Sequence, residues 1–149
     1  MIVCVTELTL ALREMLRSNG EAVQSLARRM GLGATDVTAI DHIISSPDGM
    51  GPGELAHRLG IRSASATALV DRLEAAGHVR RVPHPSDRRR QTVIATEHAG
   101  DEVRAALSPL LREIDVVANR LTPEEAATTA RFLREVAAVM RAYAGEATK

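Results

Sequence analysis

From Thr6 to Met30 the apolar residues Leu8, Leu12, Met15, Val23, Leu26 and Met30 return at helical spacing, which predicts a long first helix broken by Gly31-Leu32-Gly33. Gly33 then reads as a cap, with Asp36 as an acid in the first turn of a second helix. That helix carries Val37, Ile40, Ile43 and Ile44 and stops at Ser46-Pro47-Asp48-Gly49. Gly51-Pro52-Gly53-Glu54 repeats the start signal, a tolerated cap followed by proline at the first helical position, and predicts a short third helix from Pro52 to Leu59 ended by Gly60. Ser63 opens a fourth helix, with Ala66, Leu69, Val70 and Leu73 inward, that runs out at Gly77.

The period changes at His78. Val79 and Val82 lead into the turn-rich Pro83-His84-Pro85-Ser86-Asp87, and Thr92, Val93 and Ile94 are β-formers, so a hairpin is expected over 78–83 and 90–96. A fifth helix follows, in which Val103, Leu107, Leu110, Ile114, Val117 and Leu121 form a heptad seam. Pro109 lies inside it and is expected to bend or split it. Thr122-Pro123-Glu124-Glu125 is a capping-box start for a last helix bearing Ala126, Ala130, Leu133, Ala137 and Met140.

The fold class this order predicts is mainly α with a small β-hairpin wing: a winged helix-turn-helix plus a helical region. The whole of 1–149 reads as one domain, with a winged lobe over 34–98 and pairing helices over 1–30 and 99–149. A lone chain would leave the 103–121 seam and the terminal helices with more apolar surface than monomers usually expose, so a twofold dimer is expected.

Composition narrows the picture. Hydrophobic residues make up 45% of the chain, yet Phe132 and Tyr143 are its sole aromatics, so the core must be aliphatic. The single cysteine, Cys4, excludes an internal disulfide framework and fits a reducing, cytoplasmic setting. No apolar run reaches membrane-spanning length, and residues 1–12 lack the basic start and cleavage site of a signal peptide. Net charge is zero, but its distribution is uneven: residues 78–91 hold five arginines against Asp87 alone, whereas residues 1–50 hold four arginines against six acids.

This unevenness bears on function. In the pair 52–59 and 63–76, Ala56 is small where the helices would cross, Gly60 permits a sharp turn, and Ile61, Ala66 and Leu69 fill the space between. The outer face of the second helix then shows Ser63, Ala64, Ser65, Thr67, Ala68 and Arg72, preceded by Arg62, and small side chains there admit a helix into a major groove. Arg88, Arg89 and Arg90 at the hairpin tip repel one another unless an anion meets them, and a narrow minor groove is such a partner. Asp87 is expected to orient one of these arginines. A helical hairpin with a solvated charged turn is the plainer alternative.

Glu54-Leu55-Ala56-His57-Arg58-Leu59-Gly60-Ile61, Leu69-Val70-Asp71-Arg72-Leu73-Glu74-Ala75-Ala76-Gly77 and Pro83-His84-Pro85-Ser86-Asp87-Arg88-Arg89-Arg90 together resemble the MarR family of transcriptional regulators. Asp87 and Arg89 match that family's Asp-x-Arg wing motif; Thr96 matches the Thr of its following Leu-Thr, while Ala95 replaces the Leu and Arg90 is an additional base. The motifs cover about residues 31–98 and are specific in combination. The resemblance implies a homodimer joined by the first and last two helices, binding double-stranded DNA at a palindromic operator, usually as a repressor. It also implies a small anionic or phenolic effector held where the first and second helices meet the DNA-binding lobe. Arg13, Arg17 and His42 are the nearest polar contacts for it, with Ile43 as apolar wall.

No cofactor, metal site or catalysis is expected. Cys4 has no basic neighbour before Arg13 to activate it, and reads as inert rather than as a redox switch. His42, His57, His78, His84 and His98 show no His–His ligand spacing, although Asp41-His42 and Glu97-His98 could converge. Nucleophile motifs and phosphate loops are absent. The competing functional classes are a winged helix for protein or RNA contact and an enzyme with an unrecognised site.

Overall fold

A computed structural model describes residues 6–84, 86, 87 and 89–146. Helix α1 (Glu7–Met30) starts at Thr6, whose hydroxyl accepts the Thr9 N–H, and ends at Gly31 in the left-handed region. Helices α2 (Ala34–Ile44) and α3 (Pro52–Leu59) begin at Gly33 and Gly51, as their glycine and proline signals predict. Helix α4 (Ser63–Ala75) follows α3 after a turn at Gly60, where the Ile61 N–H reaches back to the Ala56 carbonyl at 3.0 Å. Strands β1 (Val79–Pro83) and β2 (Gln91–Ala95) pair antiparallel, with Val79 opposite Ala95 and Pro83 opposite Gln91. Helices α5 (Glu97–Ala118) and α6 (Pro123–Glu146) complete the chain. The result is mainly α with a two-stranded wing.

Backbone contacts divide the chain into Met1–Leu107 and Ser108–Lys149. The first unit holds the core. Ile40, Ile43, Leu55, Val70, Leu73, Val79 and Val93 are all at most 2% exposed, and Leu26, Ala27 and Met30 close it from α1. These are the inward positions of the helical and strand periods, so the burial follows from the pattern. The core is aliphatic throughout. Each such side chain contributes about 1.5–3 kcal/mol by leaving water.

In the second unit Thr122 and Glu125 form a capping box at the start of α6: the Glu125 N–H donates to the Thr122 hydroxyl at 3.2 Å, and the Thr122 N–H to the Glu125 carboxylate at 2.8 Å. None of the described α6 residues is buried within this chain.

Two details of α5 bear on the sequence reading. Pro109 does not split the helix, which runs from Glu97 to Ala118: proline removes one backbone donor but keeps a helical φ, so of the two expected outcomes only a bend is left. The seam also divides. Val103 and Leu107 pack against the first unit's core, whereas Leu110, Ile114 and Val117 are 41–59% exposed, and Leu121 lies beyond the end of the helix.

One link was not anticipated. Met50, just before α3, pairs with Val93 through two backbone bonds: the Met50 N–H donates to the Val93 carbonyl at 3.0 Å, and the Val93 N–H to the Met50 carbonyl at 2.8 Å. The wing is therefore tied to the α2–α3 connection, and Met50 is itself 2% exposed.

Candidate nucleic-acid interface

Helix α4 has two chemically distinct faces. Ala66, Leu69, Val70 and Leu73 are buried against the core; Ser63, Ala64, Ser65, Thr67, Ala68 and Arg72 are exposed, as is Arg62 before the first turn. Among the described residues no side chain caps this N-terminus, which leaves its first amides open to an outside acceptor. The Thr67 hydroxyl donates to the Ser63 carbonyl at 3.1 Å, so toward a ligand it offers an acceptor.

The two arginines of this face differ in their freedom. Arg62 makes no ion pair among the described residues, whereas the Arg72 guanidinium donates to the Asp36 carboxylate of α2 at 2.6 Å. Asp36 is nearly buried and Arg72 is still 61% exposed, so Arg72 is anchored at one edge while its other edge faces solvent. The pair also ties α4 to the first turn of α2.

The described residues of the wing tip are joined by contacts of their own main chain and of Asp87. The Asp87 carboxylate accepts the Arg89 N–H at 3.0 Å, its carbonyl accepts the Arg90 N–H at 2.9 Å, and the His84 N–H donates to the Arg90 carbonyl at 2.9 Å. Asp87 is expected to orient one of the tip arginines, and the contact the structure shows is to the main chain at Arg89. Arg89 and Arg90 are exposed; Arg88 falls outside the described residues, as does Cys4.

The positive field is smaller than a count along the chain implies. Arg81 points back to α4, where it pairs with Asp71 and Glu74. Its guanidinium is held above its ordinary range, chiefly by the Asp71 hydrogen bond and also by Glu74, with burial opposing. These acids precede the segment by only a few residues, but the fold was needed to show that they neutralise it. Arg81 fastens the wing to α4, while Arg80, Arg89 and Arg90 are exposed and make no ion pair among the described residues.

Thr96 secures the other end of the wing. Its hydroxyl donates to the Gly77 carbonyl at 2.7 Å and accepts the Ala99 N–H at 3.2 Å, closing the hairpin base and capping α5 together. Ala95 is partly buried against the core despite its small size.

The expected effector contacts do not gather in one described cavity. Arg13 and Arg17 are exposed on α1, His42 is half-buried on α2, and Ile43 is only 1% exposed. Ile43 occupies the inward phase of α2 and belongs to the core, which corrects its reading as a pocket wall. A cleft of about 330 Å³ within the first unit is lined instead by Asn19, Val23, Leu26, Val37, Asp41 and Leu107, among others. His98 meets His78 and Glu102, so it is not drawn toward Asp41-His42.

Comparison with known proteins agrees with this geometry. A family model described as MarR family matches residues 30–90. The uncharacterized HTH-type transcriptional regulator YcgE of Bacillus subtilis (strain 168) is 33% identical over 117 residues, covering 78% of this chain and 75% of its own. The crystal structure of transcriptional regulator Tm0710 from Thermotoga maritima superposes with a TM-score of 0.65 at 26% identity, over 89% of this chain and 93% of that one. A point mutant of S. aureus MepR bound to an oligodeoxyribonucleotide shares the fold, with a TM-score of 0.60 at 15% identity over 91% and 99% of the two chains.

Proposed function

This chain belongs to the MarR family of winged helix-turn-helix transcriptional regulators, and on that premise we propose that it binds a palindromic operator as a cytoplasmic homodimer and represses transcription until a small-molecule effector releases it. The observation that carries the DNA reading is α4: its outward face is small and wholly exposed, its inward face is closed into the core, and Arg81 fastens the basic hairpin beside it. Such a helix enters a major groove by its N-terminal turns while the wing reaches the adjoining minor groove. The MepR relative holds an oligonucleotide on the same fold.

Dimerisation is supported by exposed apolar side chains in the terminal helices. Leu8 and Leu10 of α1, Ile114 and Val117 of α5, and Val139 and Tyr143 of α6 are 51–77% exposed within one chain. Residues 1–30 and 99–149 are the proposed pairing region, and 34–98 the DNA-binding lobe. Arg13, Arg17 and His42 remain the proposed contacts for an anionic or phenolic effector.

Arg89→Ala tests the wing. Operator affinity is expected to fall by about 1–3 kcal/mol, the scale of one specific groove contact. The melting temperature should hold, because the Arg89 side chain is exposed and Asp87 grips its backbone N–H. Footprinting of wild type and variant on the DNA flanking the chain's own coding region measures the affinity, and a thermal melt of each protein measures the stability. An unchanged footprint with a lowered melting temperature would assign Arg89 a structural role, and protection of no site by either protein would oppose the operator reading.

A further inference from the structure

Three metal-ligand side chains from two parts of the chain converge at the base of the wing. His78 stands between the left-handed Gly77 and strand β1, and is only 5% exposed. His98 and Glu102 lie one turn apart at the start of α5. A Glu102 carboxylate oxygen is 2.7 Å from His78 Nε2 and 3.5 Å from His98 Nε2. The two imidazoles stack with centroids 5.5 Å apart, and one ligand atom from each of the three residues lies within 4.8 Å of the other two.

A structural hydrogen bond between His78 and Glu102 accounts for the shortest of these contacts. It does not account for His98, whose side chain is 65% exposed yet brings its Nε2 toward the same carboxylate oxygen. The other ring nitrogen of His78, Nδ1, is buried with no hydrogen-bond partner among the described residues. In this arrangement the Nε2–H donates to the Glu102 carboxylate, and no partner of Nδ1 locks the ring in that tautomer, so a cation can take the place of the Nε2 proton with the proton moved to Nδ1.

We propose that His78, His98 and Glu102 form a binding site for a divalent transition cation of the Zn²⁺ type. Two imidazoles and one carboxylate are a donor set such ions favour, with water completing the shell. Bond lengths of about 2.0–2.2 Å to a tetrahedral ion place its donors roughly 3.3 Å apart, and the observed 2.7 and 3.5 Å bracket that spacing. The adjustment falls on the exposed His98 and the half-buried Glu102. His78 is fixed by its backbone, whose N–H donates to the Leu73 carbonyl at 2.9 Å and whose carbonyl accepts the Thr96 N–H at 3.0 Å. A bound cation would join the end of α4 and the start of β1 to α5, stiffening the elements that carry the DNA-contacting face.

The test needs no DNA, so its outcome is independent of the operator reading. Full-length protein, freed of any affinity tag and stripped of metal, is titrated with Zn²⁺ against a chromophoric chelator and with Co²⁺ for the visible bands of a tetrahedral site. One cation per chain is expected. His98→Ala and Glu102→Gln should each weaken binding by at least about tenfold, whereas His57→Ala, on the exposed side of α3, should not. Zn²⁺ should raise the melting temperature of the wild type and not of His98→Ala, a variant that removes an exposed side chain and so keeps the fold. Absence of binding, or binding that survives both His98→Ala and Glu102→Gln, would overturn the proposal.

Discussion

Replacing Gly49 with alanine is expected to destabilise the folded chain by about 3 kcal/mol or more, of which roughly 1–2 kcal/mol comes from placing a side chain in the left-handed region. Gly49 has φ +73°, and a Cβ there would lie 2.5 Å from the methyl carbons of Thr92 and Ile94 and 2.6 Å from the Val93 carbonyl oxygen. That oxygen cannot retreat freely, because it accepts the Met50 N–H at 3.0 Å. Thr92 and Val93 are themselves 2% and 0% exposed. The clash is therefore relieved only by parting the wing from the α2–α3 connection. Gly51→Ala is the matched control, since a Cβ at Gly51 meets nothing within 4 Å and its φ of −71° suits alanine. Urea unfolding of both variants measures the difference. A Gly49→Ala midpoint indistinguishable from that of the control would show that the Met50–Val93 bridge does not anchor the wing.

Ile114→Glu should give a still larger effect, on assembly rather than on the fold of the single chain. Ile114 is 51% exposed within one chain, so the carboxylate costs an isolated protomer little. In the proposed dimer the substitution appears twice. Each copy forfeits about 1.5–3 kcal/mol of apolar burial and adds the several kcal/mol of an unpaired charge withdrawn from water. A fall of about three or more decades in the association constant is expected, with far-UV circular dichroism retained. Equilibrium sedimentation reads this directly. A variant that stays dimeric would place the contact elsewhere, and a wild type that is monomeric at micromolar concentration would overturn the dimer itself.

Much of this architecture was legible because it is local. The Thr122–Glu125 capping box, the glycine starts of α2 and α3 and the inward phases of α2 and α4 all depend on residues within a turn or two of one another. What the sequence hid are meetings across the chain. Asp36 lies 36 positions from Arg72, and the bridge from Met50 to Val93 spans a similar distance. No periodicity announces either. The neutralisation of Arg81 by Asp71 and Glu74 went unread because charge was counted within the hairpin alone. The i,i+4 spacing of His98 and Glu102 was visible on the predicted fifth helix, but only the closure of the wing base brings in His78. Ile43 was misassigned for a simpler reason: an apolar residue beside a histidine reads equally as pocket wall or core, and its helical phase favours the core.

The most direct test of the central claim is selection of bound duplexes from a random pool by the full-length protein. A twofold dimer presents two copies of α4, so the enriched site should be an inverted repeat with half-sites about 10 base pairs apart. The face of α4 lacks Asn and Gln and carries Arg62 and Arg72 as its guanine-reading candidates, the latter tethered to Asp36, so base-specific positions should be few. Arg89 and Arg90 should favour A·T-rich flanks with a narrow minor groove, and affinity should fall steeply with salt as phosphate counterions are released. A symmetric consensus with these flanks is the predicted result; a pool that shows no enrichment, or an asymmetric site bound by a single chain, would contradict the account.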